Sequence, residues 1–497
     1  MSKRTASTGH GSLATGAVTA LALAVQTGLA AVVGVVIAQK LGYNAETDGF
    51  FAAYGVFIVL ALASTAVRVT VLPPLARARA ERRLSVETAA YAGAVAAAAL
   101  PLALVGILAA EPLAAVLTGF GPQEARDAAA ATLPWLMAAA LGQFAAGLLA
   151  SALAAMDDYV TPAIGYIGGS LVGLALILAR IDENGVDAVA WGMALNAAIA
   201  TVVPAIWLVR RARSEAMPAR AVRTDLSGTG RRLGELGSGA ALPLALQAIY
   251  LVCVPLAARE GVGAQTSFGY AYLLAAGVVG VTASSLGLVT SVPLARAGLD
   301  PARVARHVDA SSWLALVVVA ATAGVFAVAG QDIVEGVLGG SYGEDVGSQI
   351  GKLVVALAPF MVVSVALSVT FPLMFVAERV GKLPLVALAV FVVHIPLAVA
   401  GQVLAGLWGL SIALAVSTAL ALAALLVLLD ALRATVGDLL TATVFVGATA
   451  TAIFALGDLL LAPPAAATLA LLAYVAVVLA VRPRGLVRSW DYLRALR

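Results

Sequence analysis

The sequence predicts an all-α polytopic membrane protein of about 14 transmembrane helices, two six-helix lobes related by a parallel repeat plus two C-terminal helices. Three observations predict it. First, the 497 residues are 62% apolar and 11% charged, against about 45–50% and ~25% for soluble globular chains. Second, windows of about 20 apolar residues, enough to cross ~30 Å of hydrocarbon as helix, recur along nearly the whole chain. Third, basic residues gather in alternate connections, and a stretch of the first half recurs in the second.

The predicted spans are 14–38, 49–75, 88–110, 129–155, 159–179, 186–209, 238–258, 266–294, 311–330, 353–377, 383–402, 406–429, 437–457 and 463–481. The polar, basic stretch 1–16 precedes an apolar run too long for a signal-peptide core, so the first run is read as a retained membrane helix. An even number of spans puts both termini on one side. All but six of the 30 basic residues fall on that side; Lys40, Arg126, Arg180, Arg259 and Lys352 lie opposite, and Arg68 lies inside a span. Basic residues accumulate in cytoplasmic connections, so both termini are expected in the cytoplasm.

The organisation follows from the connections. Residues 1–210 form an N-lobe, 211–237 a basic cytoplasmic linker, 238–430 a C-lobe, 431–482 the last two spans, and 483–497 a basic tail. Thr47–Ala78 aligns with Thr266–Ala297 without a gap, and both end in Pro-Leu-Ala-Arg-Ala. A weaker echo pairs Met156–Pro162 with Glu378–Pro384. The copies are six spans apart, so the lobes share one orientation and are related by an axis along the membrane normal. Such a pair can enclose a site near the midplane and rock between inward-open and outward-open states. The tail, with Leu486, Val487, Trp490, Tyr492 and Leu493 among its arginines, suits an amphipathic helix on anionic membrane lipids.

Composition and motifs exclude much chemistry. A soluble enzyme is ruled out, and no connection is long enough for a separate catalytic domain. Cys253 cannot form an intrachain disulfide, and His10, His307 and His394 lack metal-ligand spacing. No P-loop, nucleophile triad or metal motif is present, so neither catalytic residues nor cofactors are expected.

Polar groups inside the bilayer are the functional candidates, because burying them there is costly. Arg68 either binds a phosphate or snorkels to the headgroups. Asp48, with Glu46, lies at the outer end of span 2, where a carboxylate suits the positive helix end and Thr47 or Asp48 can cap it. Gln26, Gln39, Lys40, Gln143, Asn196 and Gln247 either line a hydrophilic cavity or bond between helices. His394 is read as a packed neutral histidine, and Gly165, Gly169 and Gly173 as a close-packing stripe.

Ala38-Gln39-Lys40-Leu41-Gly42 followed by Ala45-Glu46-Thr47-Asp48-Gly49-Phe50-Phe51, with Val71-Leu72-Pro73-Pro74-Leu75-Ala76 ending span 2, resembles the MurJ/MviN family of the multidrug/oligosaccharidyl-lipid/polysaccharide exporter superfamily. The resemblance implies alternating-access flipping of a polyprenyl-pyrophosphate-linked precursor, lipid II or a related lipid-linked glycan, across a bacterial cytoplasmic membrane. Cavity cations would hold the head, the lipid tail would lie beside the last two helices, and the partners would be the substrate and possible cell-wall synthesis proteins; nucleic acid is not among them. The chain departs from the family where two cavity arginines of the first helix align with Thr27 and Val33, and where a second-helix arginine region aligns near Ala61 and Leu62. Asp48 is retained. Two other readings stand beside the flippase: a cation-coupled small-molecule antiporter of the multidrug-extrusion type, and a non-transporting scaffold for cell-wall enzymes.

Overall fold

A computed structural model of the chain describes residues 25, 28–214, 226–297, 301–481 and 483–495. Helices account for its regular structure: α1 Gly28–Leu41, α2 Ala45–Ala80, α3 Leu84–Leu108, α4 Ala110–Leu117, α5 Gln123–Ala154, α6 Val160–Ser214, α7 Leu226–Ala257, α8 Ala264–Ala297, α9 Pro301–Leu338, α10 Glu344–Ala356, α11 Ala358–Val376, α12 Leu383–Leu428, α13 Leu432–Leu460, α14 Pro463–Val481 and α15 Arg484–Ala495. Among the described residues, 11 helices are long and apolar enough to cross a membrane. Their outward faces carry large apolar side chains, such as Leu404 at 84% and Leu459 at 81% exposure, a surface that suits hydrocarbon rather than water. The chain is a multi-pass membrane protein.

Two of those apolar stretches, of 52 and 49 residues, are far longer than the about 20 needed to cross a bilayer. Each folds back at a glycine. Gly185 in α6 has φ 51° and ψ −130°; Gly406 in α12 has φ 54° and ψ −134°. Positive φ with this ψ is open only to glycine without strain, so one residue type reverses the chain in both places. These folded helices, together with the short apolar α1, are where the expected fourteen spans exceed the eleven.

The chain divides into two compact units, Met1–Gln247 and Ala248–Arg497. In the first, α2 and α6 pack against α5, with α3 alongside. Val67, Val71 and Leu75 of α2 meet Tyr91 and Val95 of α3, Leu148 and Ala152 of α5, and Leu236 of α7 in one buried cluster. In the second, α9 is the axis on which α10, α11, α13, α14 and α15 pack. Its Trp313 and Leu316 bury against Val446 and Phe454 of α13 and Tyr474 of α14. Gly324 of α9 seats the Phe454 ring where no Cβ would fit.

The internal repeat has a structural counterpart. Thr47 and Thr266, aligned by sequence, are both fully buried near the starts of α2 and α8. The turn before α6 and the turn before α12 close identically: Asp157 and Glu378 adopt φ 59° and 55°. The following residues, Asp158 and Arg379, donate backbone N–H bonds to Leu153 and Met374, each five residues back. This is the glycine-type helix stop, here made by acidic residues. The sequence echo pairs Met156 with Glu378; the backbone pairs Asp157 with Glu378, one residue along.

Several expected edges move. Helix α7 starts at Leu226, within the stretch read as linker, because its first turns are held by ion pairs described below. The span expected at 353–377 is interrupted at Leu357, after which Pro359 starts α11 near its N-terminus, where a missing N–H costs nothing. Helix α2 begins at Ala45 with Asn44 as its cap, its side chain accepting the Thr47 N–H at 2.9 Å, so the capping role expected of Thr47 or Asp48 belongs to Asn44. A cap must precede the first helical residue, and both candidates lie inside the first turn.

Candidate substrate-binding site

The turn joining α1 to α2 is dense in polar groups because it must satisfy a helix start. The Thr47 hydroxyl donates to the Gly42 carbonyl at 3.1 Å, and Asn44 donates to the Leu41 carbonyl at 2.9 Å. Asp48 is 5% exposed in the first turn of α2, where the helix dipole favours a carboxylate. Glu46 accepts the Val186 N–H at 3.4 Å, just past the Gly185 reversal. Lys40 pairs with Asp182 at 3.0 Å. Lys40 and Glu46 therefore fasten the α1–α2 turn to the bend of α6.

Arg68 is differently placed. It lies about two-thirds of the way along α2, towards the C-terminal end, its stem against Gly147 of α5, where an added Cβ would come within 3.2 Å of the arginine Cγ. Its guanidinium carbon stands 5.8 Å from the centroid of the Tyr166 ring on α6. The residue is exposed, and its guanidinium makes no ion pair or hydrogen bond among the described residues. The ring face supports the cation by about 0.5–1 kcal/mol, but leaves its in-plane N–H donors for another partner. Gln143 lies one helical turn from Gly147 on the same face of α5. It is half-buried, and its amide likewise makes no hydrogen bond among the described residues.

The first unit thus offers a guanidinium, an amide and a phenol ring on three adjoining helices. A planar guanidinium with free donors matches the oxygens of phosphate or carboxylate in a forked, charge-assisted contact. Sequence reasoning selected Arg68 and Gln143 but missed Tyr166 and Gly147. Tyr166 follows Gly165 in the small-residue stripe, yet nothing local links it to an arginine 98 positions earlier.

The other candidates do not join this group. Asn196 packs into the α6 hairpin, its Cβ within 3.2 Å of the place a Gly173 Cβ would take, and its Oδ1 buried without a hydrogen-bond partner among the described residues. The stripe acts as read, for Gly165 faces Pro204, Gly169 faces Asn196 and Gly173 faces Gly192 across the two legs of α6. Gln247 is half-buried in α7 at the boundary of the units, and it has a partner. Gln26 lies outside the described residues, as does Thr27. In the second unit His394 is fully buried, its Nδ1 2.8 Å from the Ser417 hydroxyl and its Nε2 3.5 Å from the Cys253 sulfur, as a packed histidine requires.

A second polar cluster, unforeseen from the sequence, holds the start of α7. Arg232 pairs with Glu87 of α3, bonds Glu235 at 2.7 Å and stands 5.0 Å from the centroid of the Tyr91 ring, while the Tyr91 hydroxyl donates to Glu235 at 2.8 Å. Arg232 and Glu87 side chains are only 11% and 10% exposed. Every member is paired within the cluster, which marks it as structural rather than ligand-binding.

No family model and no curated protein matches the chain. Among solved structures it is similar to the lipid II flippase MurJ in an inward closed conformation, with a TM-score of 0.71 and 13% identity over 92% of this chain and 98% of that one. It is also similar to an inward-facing multidrug resistance MATE transporter of the MOP superfamily, with a TM-score of 0.59 and 14% identity over 84% and 99%. The eukaryotic MATE transporter AtDTX14 superposes with a TM-score of 0.56 at 15% identity over 88% and 99%. The chain has the fold these transporters share, and the family that its first hairpin resembles is one of them.

Proposed function

We propose that this chain is a divergent MOP-superfamily transporter of MurJ/MviN type. It flips a polyprenyl-pyrophosphate-linked cell-envelope precursor, lipid II or a related lipid-linked glycan, from the inner to the outer leaflet of a bacterial cytoplasmic membrane. The observation that carries this reading is Arg68: a guanidinium about two-thirds of the way along the apolar helix α2, supported by Tyr166 and without an anionic partner among the described residues. A cation is costly there unless something pairs with it, and a phosphate-bearing head supplies the charge. Gln143 adds a donor and acceptor suited to a sugar. In this reading Asp48, Lys40, Asn196 and Gln247 order the helices around the site, and both termini lie in the cytoplasm.

Small-molecule antiport is the second reading, favoured by the fold shared with the MATE structures. The two separate on one experiment. Cells depleted of their own lipid II flippase are supplied with this chain, and lipid II reaching the outer surface is measured for wild type and Arg68→Ala. The flippase reading expects restored accessibility that the substitution removes; drug efflux that collapses with the ion gradient, without any flipping, would favour antiport.

A further inference from the structure

The C-terminal helix α15 has two faces with different fates. One is seated on α9 of the second unit. Gly485 lies so close to the Trp313 ring that no side chain fits there, Leu486 joins the cluster around Trp313, and Ser489 is 1% exposed. Tyr492 completes the contact, its hydroxyl 3.4 Å from the His307 Nδ1. The opposite face is open: Val487 is 40% and Trp490 51% exposed, and the Arg494 guanidinium carbon stands 5.3 Å from the Trp490 ring centroid. Positions 487, 490 and 494 recur at helical spacing, so they form one stripe.

We propose that this stripe is a binding surface for anionic phospholipid, with Arg494 and Arg488 on the headgroup phosphates and Val487 and Trp490 at the acyl boundary. Three observations choose the occupant. The spanning helix α14 ends at Val481 and α15 begins at Arg484, so the helix starts at the level where a membrane span leaves the hydrocarbon. Tryptophan beside arginine suits that interface, where the ring sits among headgroups and the arginine stem snorkels. The exposed face carries Arg488 and Arg494 against Asp491, a net positive charge that anionic lipid complements. Because the other face is clamped to α9, lipid bound here bears on the end of the helix around which the second unit packs. The assignment is independent of which substrate the protein carries.

The test uses the full-length protein in nanodiscs, made from phosphatidylcholine alone or mixed with phosphatidylglycerol. Backbone amide exchange across Arg484–Ala495 is followed in each. Exchange is expected to be at least about fivefold slower in the anionic discs, the factor that one arginine at such a surface supplies. In R488Q/R494Q the difference between the two lipids should vanish, with the rate in neutral discs unchanged. Arg488 also lies within electrostatic reach of Asp309 on α9. If the neutral-disc rate rises in the double variant, R494Q alone decides, and its lipid difference must shrink. Equal exchange of the wild type in both lipids, or a lipid difference that R494Q leaves at full size, would overturn the proposal.

Discussion

Lys40 and Asp182 meet at 3.0 Å across 142 positions of sequence, and Glu260 and Gln402 meet at 2.9 Å across the same 142. In the first unit the pair ties the α1–α2 turn to the bend of α6; in the second it ties the α7–α8 turn to the bend of α12. Beside each bond lies the glycine that reverses the helix, with a carboxylate over it: Glu46 at Gly185 and Glu260 at Gly406. The two bonds hold comparable places in their units with different chemistry, a lysine–aspartate ion pair in the first and a glutamine-to-glutamate hydrogen bond in the second.

The Lys40–Asp182 pair is exposed, with side chains 48% and 69% accessible, so its direct stabilisation is about 0–1 kcal/mol. The reversal it adjoins is worth more. Gly185→Ala should destabilise by about 1–3 kcal/mol through the positive φ alone, and its Cβ would meet the Glu46 Oε1 at 2.6 Å. Thermal unfolding in detergent should rank G185A well below K40A. Adding Glu46→Ala should relieve the contact but not the backbone strain. If K40A and G185A unfold together, the glycine is not what holds the bend.

The seat of Arg68 can be tested without removing its charge. Gly147→Leu pushes the arginine stem from its groove on α5, while Arg68→Lys keeps the charge and loses the fork. Both should lower transport of a phosphate-bearing lipid, and R68A should lower it by at least about tenfold, the loss of one charged hydrogen bond. Surface expression and unfolding temperature are read alongside. Full transport in G147L would show that the position of the guanidinium does not matter.

Much of this architecture is written locally and some is not. Runs such as 463–481 coincide with α14 to the residue because a span is a local property of hydropathy. The repeat was legible in Pro74–Ala78 and Pro293–Ala297 because close copies of one strip survive. Asn44 is not singled out as a cap by sequence because Thr47 and Asp48 are equally good capping types three and four residues on, and only the helix start decides between them. The Tyr166 ring under Arg68 and the Glu87 partner of Arg232 lie 98 and 145 positions from their arginines, and neither pairing leaves a periodicity to read. The candidate group is therefore half legible: Arg68 and Gln143 stand out as polar residues in apolar runs, whereas Tyr166 and Gly147 do not.

In the Arg232 cluster a single change should cost far more than the matching double change. Removing one partner from a nearly buried pair leaves the other charge unpaired at a cost of about 3–5 kcal/mol, whereas replacing both by apolar residues is often close to neutral. Arg232→Met should therefore loosen the start of α7 and lower the unfolding temperature, and Arg232→Met with Glu87→Leu should recover much of it. Glu235 would still need a partner, which the Tyr91 hydroxyl supplies. Equal destabilisation in the single and double variants would place the cluster outside the packing of α7.

In the second unit the Phe454 ring rests on Gly324. Gly324→Leu should overfill this site and destabilise by about 1–3 kcal/mol, and Phe454→Ala in the same chain should recover part of that by vacating the volume. Urea or thermal unfolding of the three variants checks it; a destabilised G324L that F454A makes worse would mean the clash lies elsewhere.

If this chain moves a lipid-linked glycan with Arg68 as its cation, flipping must depend on that side chain. The most direct measurement is the amount of lipid II accessible at the outer surface of cells depleted of their own flippase and supplied with this chain, wild type or R68A, at matched membrane levels. Accessibility should be restored by the wild type and lost in R68A. Restoration that R68A leaves intact would remove Arg68 from the mechanism, and no restoration by a correctly inserted wild-type protein would contradict lipid II as its cargo.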